Sequence, residues 1–188
     1  MYNQDTHTGP SFSFRNRAAR LVWKVTYALF FFPTPNMMYG WRAFLLRCFG
    51  ARVGRNVHVY PRVRIWAPWN LDLGDEAGIA DGVTLYSQDQ ITIGRRVVIS
   101  QGAYLCTGTH DHSDPGHRLV TCPIHIGDHA WLAAESFILP GVRIGEGAVI
   151  GARSLVTKDM PAWMVCGGHP CQPIRERKFN HGIRIDTD

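Results

Sequence analysis

Between Thr107 and His117 the chain reads Thr-Gly-Thr-His-Asp-His-Ser-Asp-Pro-Gly-His, which sets His110, His112, His117, Asp111 and Asp114 within eleven residues. A neutral imidazole is suited to taking and returning a proton near neutral pH, so the run is a candidate for general acid–base chemistry. Clustered histidines also raise zinc binding. Three ligands confined to one loop do not make a converging site, however, and no metal is expected. Cys106 stands just before the run. It has no evident activator beside it, so a packed thiol is expected rather than a nucleophile.

A repeat supplies the frame that must position this run. Aliphatic residues recur at a step of six: Ile126, Leu132, Ile138, Ile144, Ile150 and Val156, with earlier sets Val53–Val59–Ile65, Leu73–Ile79–Leu85 and Ile93–Ile99–Leu105. Four residues after most ladder positions stands a small or β-branched residue, as at Val57, Ala77, Ala103, Ser136 and Ala148. Positions two apart share one face of a strand, so each pair fills a narrow interior. A glycine follows the ladder residue at Gly54, Gly74, Gly94, Gly127, Gly145 and Gly151, and is read as permitting a sharp turn. Three hexapeptides run over each of 53–70, 73–90, 93–110, 126–143 and 144–161. Three strands per coil predict a triangular prism, an all-β parallel β-helix of about five coils stacked roughly 4.8 Å apart. Between 110 and 126 the ladder is broken by about fifteen residues, 111–125, where a loop must project.

The 188 residues fit one domain with appendages: a front segment 1–50, the β-helix 51–161 with its loop, and a closing segment and tail 162–188. The net charge of +5 comes from 17 arginines and only three lysines, Lys24, Lys158 and Lys178. No nucleic-acid-binding signature accompanies it, so nucleic acid is not an expected partner. Five cysteines form neither a CxxC pair nor an even disulfide framework, and the polar start, Met1 to Ser13, does not read as a secretory signal. A reduced, cytoplasmic protein is expected.

Leu21 to Phe32 is strongly apolar, preceded by Arg15, Arg17 and Arg20 and stopped by Pro33 and Pro35. It falls short of the roughly 20 apolar residues that cross a bilayer. A second helix is predicted over 36–49. Two readings stand: a helical cap over the open end of the first coil, or a basic, aromatic surface that rests on the inner membrane face.

Motifs such as Ile-Gly-Glu-Gly-Ala-Val-Ile-Gly-Ala (144–152) resemble the hexapeptide-repeat acyltransferases over about residues 40–178. That resemblance implies a left-handed β-helix and a homotrimer with its sites between subunits. Ala-Pro-Trp-Asn-Leu (67–71), the run 99–111 and Leu-Leu-Arg-Cys-Phe-Gly-Ala (45–51) resemble the colanic-acid-type sugar O-acetyltransferases, relatives of the maltose and galactoside enzymes. The resemblance implies acetyl transfer from acetyl-CoA, as co-substrate, to a sugar hydroxyl in exopolysaccharide assembly. The acceptor would be a saccharide or a lipid-linked oligosaccharide.

His110, five residues after Leu105, matches the family's catalytic histidine, with Asp111 or Asp114 to orient it. The segment Gly-Ala-Arg-Ser-Leu-Val-Thr-Lys-Asp (151–159) resembles the cofactor-binding run and carries over Ala152, Thr157 and Lys158. Trp131 and Ala134 match residues lining the thioester end, and Arg175 matches a phosphate contact. Gln172 stands where related enzymes have arginine, and a substrate-holding asparagine falls at Ala80. Asp81 or Tyr86 would substitute for the latter, with His112 and His117 as further acceptor contacts. Two other readings compete: an N-acyltransferase acting on an amino sugar, and a non-catalytic β-helix scaffold.

Overall fold

A computed structural model describes residues 11–178; residues 1–10, most of the polar start, and 179–188, the end of the tail, lie outside it. Each hexapeptide forms one short strand and one corner, and parallel pairing stacks the strands into three faces. On the first face Val53, Leu73, Ile93, Ile126 and Ile144 stand in register. On the second the column is Val59, Ile79, Ile99, Leu132, Ile150 and Cys166. Ile65, Leu85, Leu105, Ile138 and Val156 form the third. Apart from half-buried Val53, every one of these side chains is buried, and so are the residues two before them except half-buried Met164. Those partners are small or β-branched on the second and third faces up to Ala148 and Ser154, whereas the first face has Leu71, Ile91 and Ile124. Burial of each large aliphatic contributes on the order of 1.5–3 kcal/mol. Five coils are complete. A sixth begins where Met160 bridges Ile144 and ends in an antiparallel hairpin, Met164–Gly168 against Cys171–Glu176.

The corner glycines act differently from the expectation. At the corner between the first and second faces, a Cβ on Gly74 would lie 2.7 Å from the Arg95 amide nitrogen of the next coil. Glycine is needed there because backbone passes close to backbone. The sharp turn falls two residues later, where Asn56, Glu76, Arg96 and His129 adopt left-handed backbone with φ of 52–61°.

The front of the chain folds over the first coil. Helix α1 (Phe14–Thr26) starts at Ser13, whose Oγ accepts from the Asn16 amide at 3.3 Å, and continues into a π-helical turn over Tyr27–Phe31. Helix α2 (Tyr39–Cys48) is shorter than the predicted 36–49, because Asn36 to Met38 form a turn instead. In the first coil Val53, Val59 and Ile65 turn their carbonyls away from the second coil, one on each face. Each carbonyl meets a side-chain donor. Arg47 reaches Val53 O at 2.8 Å, Arg42 reaches Val59 O at 2.6 Å, and Trp23 Nε1 reaches Ile65 O at 2.9 Å. An exposed strand edge is a template for further pairing, and these three donors occupy it.

Candidate active site

The projecting loop is an ordered antiparallel ribbon. Gly108–His110 pairs with Leu119–Thr121, with His110 opposite Leu119. Thr107 roots it: the buried hydroxyl donates to Tyr86 O at 2.8 Å and accepts from the Asp89 amide at 2.9 Å. The Thr107 carbonyl accepts from the Cys122 amide at 2.9 Å, which closes the base of the ribbon. A rigid coil thereby holds His110 at the corner between the third and first faces.

His110 Nδ1 lies 2.6 Å from the His117 carbonyl. A carbonyl only accepts, so this bond places the proton on Nδ1 and leaves Nε2 with its lone pair free. His117 itself holds φ of 44°, a left-handed conformation uncommon for a residue with a side chain. The two carboxylates have other work. Asp111 accepts from the Ser113 hydroxyl at 2.6 Å and the Ser113 amide at 2.9 Å. Asp114 pairs with Arg118 and accepts from the Gly116 amide at 3.0 Å. The Ser113 bonds hold the Asp111 carboxyl below the usual carboxylate range, and the Arg118 pair does the same for Asp114. The orienting contact at Nδ1 is thus backbone, whereas the sequence pointed to carboxylate. The side chains of His112 and His117 are exposed on the same ribbon.

His110 opens on a cleft of about 260 Å³ lined also by Phe12, Arg17, Arg20, Gln88 and Leu119. Phe12, Arg17, Arg20 and Gln88 escaped the sequence reading. Arginines in a predicted cap helix carry no spacing signal that ties them to a histidine ninety residues on. Tyr86 is joined to this cleft through Gln88, whose Nε2 donates to the phenol oxygen at 3.0 Å. Asp81 is not. It sits at the corner between the second and third faces and accepts from the Arg62 amide at 3.1 Å. Cys106 donates to Gly108 O at 3.1 Å, and burial pushes its thiol up, away from the reactive thiolate. Among the described residues, no three His, Cys, Asp or Glu side chains converge on a point.

The residues matched to a cofactor divide into two sets. Thr157 and Lys158 are exposed at the same corner as the ribbon root, two coils above Thr107. Trp131 lies on the second face, 44% exposed, with Nε1 donating to Ser100 Oγ at 2.9 Å. Ala134 and Ala152 follow at the corner between the second and third faces. Arg175 projects from the last strand of the hairpin, on the second face. The third face therefore separates the two sets within one chain.

Comparison with known proteins decides the family. Residues 123–158 match the model for the bacterial transferase hexapeptide (six repeats). The chain is 51% identical over 156 residues, 83% of its length and 86% of the relative's, to a protein of Escherichia coli K12 named as a colanic acid biosynthesis acetyltransferase, WcaF. The chain belongs to the hexapeptide-repeat sugar O-acetyltransferases. Membership makes the prism a left-handed β-helix. The acetyltransferase also superposes on a galactoside acetyltransferase solved in complex with coenzyme A, with TM-score 0.82, 31% identity, and 90% and 86% of the two chains covered. A maltose O-acetyltransferase from Clostridium difficile 630 gives TM-score 0.80 at 28% identity, covering 89% and 90%.

Proposed function

We propose that this enzyme transfers the acetyl group of acetyl-CoA directly to a hydroxyl of a saccharide during exopolysaccharide assembly, with His110 as general base. The observation that carries this reading is the Nδ1 contact of His110 with the His117 carbonyl, which leaves Nε2 unengaged by that bond on a residue that lines a cleft. Nε2 takes the proton of the acceptor hydroxyl as its oxygen bonds to the acetyl carbonyl carbon. The carbon–sulfur bond then breaks, and the departing thiolate takes that proton back from the imidazolium. Arg17, Arg20 and Gln88 line the cleft and are suited to holding acceptor hydroxyls or an acidic sugar. The similarity to WcaF supports a colanic-acid-like acceptor, free or lipid-linked.

The cofactor matches support a site between copies. An extended thioester substrate that touches Thr157 and Lys158 from one chain and Trp131, Ala134 and Ala152 from another accounts for both sets at once. A homotrimer, three prisms around one axis, supplies three such grooves. Five free thiols suit a reducing, cytoplasmic setting.

Thiol release from acetyl-CoA, measured against neutral mono- and oligosaccharides and amino sugars, tests the reading. Release on a neutral sugar that disappears in His110→Ala is the expected result. Release on amino sugars alone would replace it with N-acylation, and failure to bind CoA at all would favour a scaffold.

A further inference from the structure

We propose that the outer face of the two N-terminal helices docks on an anionic lipid bilayer. A cap needs only one apolar side, and helix α1 with its π turn has two. Trp23 and Phe31 are buried against the prism. On the opposite side Phe14, Ala18, Leu21, Val22, Val25, Leu29 and Phe32 recur at helical spacing, and all are exposed. Leu21 is 64% exposed and Leu29 60%. Helix α2 extends this surface. Trp41 Nε1 donates to Phe30 O at 2.8 Å, and the Trp41 ring stands 5.7 Å from Phe44. Both aromatics are themselves exposed, as is Met37 in the turn between the helices.

Charge names the occupant. Residues 11–50 hold six basic side chains and no acidic one, whereas residues 51–188 hold fourteen of each. Arg15, Arg17, Lys24 and Arg47 are exposed beside the apolar surface. A second copy of the same face would bring these cations together, which disfavours self-association. An anionic leaflet satisfies both the apolar stripe and the basic flank. The contact is peripheral: among the described residues no helix is long and apolar enough to cross a membrane. Because α1 also lends Arg17 and Arg20 to the His110 cleft, docking would bring that cleft to the bilayer surface. Delivery of a lipid-linked acceptor there rests on the acetyltransferase reading; the docking itself does not.

Deleting the front segment would also remove Trp23 from Ile65, so substitutions are the better probe. The full chain is sedimented with phosphatidylcholine vesicles, with and without phosphatidylglycerol, with no acetyl-CoA present. We expect binding to the mixed vesicles only. It should weaken at least about tenfold in Leu21→Gln/Val25→Gln/Leu29→Gln, and about tenfold in Arg15→Gln/Lys24→Gln or at high salt. Circular-dichroism melting and acetylation of a soluble acceptor should be unchanged in both variants. Wild type left in the supernatant with both vesicle types would overturn the proposal, and so would full binding by the triple variant. A drop in oligomeric mass in that variant, with no vesicle binding by wild type, would reassign the face to contact between copies.

Discussion

The guanidinium of Arg42 donates through Nε to the carbonyl of Val59 at 2.6 Å, joining the second helix to the open end of the prism. Arg42 is fully buried, and its other donors reach Thr34 Oγ1 at 2.8 Å and the carbonyls of Pro35 and Asn36. It stacks over Tyr39 at 5.1 Å. No carboxylate accepts from it in this set. Its partners are neutral oxygens at the end of the β-helix and in the turn before α2.

Arg42→Met should therefore destabilise the fold by about 3 kcal/mol or more, since the buried Val59 carbonyl and the part-buried Asn36 carbonyl lose this donor together with the Thr34 and Pro35 bonds. Trp23→Phe removes a single bond, to Ile65, and should cost about 1–2 kcal/mol. Urea titration of both variants checks the ranking, and equal losses would refute the account of Arg42 as a shared donor.

The two ribbon histidines should separate by function. His110→Ala should lower turnover at least about 10²-fold with acetyl-CoA binding nearly unchanged. His117 serves His110 through its main-chain carbonyl, so His117→Ala should stay within about threefold of wild type. A loss in His117→Ala as large as that in His110→Ala would mean that the second imidazole touches the acceptor.

Asp114 predicts a pH-independent deficit. Its carboxyl is held below the ordinary range by Arg118, then by the Gly116 amide, so its stabilising effect is complete above the ordinary carboxyl pKa. That effect fades only as pH falls through the lowered value. Asp114→Asn should slow turnover by loosening the ribbon, and the ratio of wild-type to variant kcat/KM should stay flat from about pH 5 to 9. A ratio that changes across this window would give Asp114 a direct part in proton transfer.

Two glycines of one coil should respond oppositely to an added methyl. Gly74→Ala forces a Cβ to within 2.7 Å of the neighbouring coil and should cost more than about 2 kcal/mol. A Cβ on Gly78 meets nothing within 4 Å, so Gly78→Ala should be neutral or stabilising by some tenths of a kcal/mol. Thermal melting of the pair measures the contrast.

The step of six was enough to read the prism, its three faces and the break that projects the ribbon, because burial in a stacked coil constrains residue type at every sixth position. It also placed His110 correctly at the exit from the third coil. The His117 carbonyl was invisible, since any residue at that position carries one. Arg17, Arg20, Arg42 and Trp23 were equally hidden. Arg42 and Trp23 each meet a distant carbonyl, and no periodicity marks a single long-range hydrogen bond; Arg17 and Arg20 reach the cleft only through the fold. At the corner glycines, spacing reveals that a position must be small, but not whether a turn or a neighbouring coil demands it.

The stack also acts as a ruler. The ribbon root at Thr107 and the pair Thr157–Lys158 share one corner and differ by two coils, so their axial separation is quantised at roughly 4.8 Å per coil. Loss of the coil between them would leave both ends capped and every remaining face paired. On the reading proposed above, such a shortened prism would hold His110 and the Thr157–Lys158 pair one step too close, folded yet out of gauge for a thioester that has to span them.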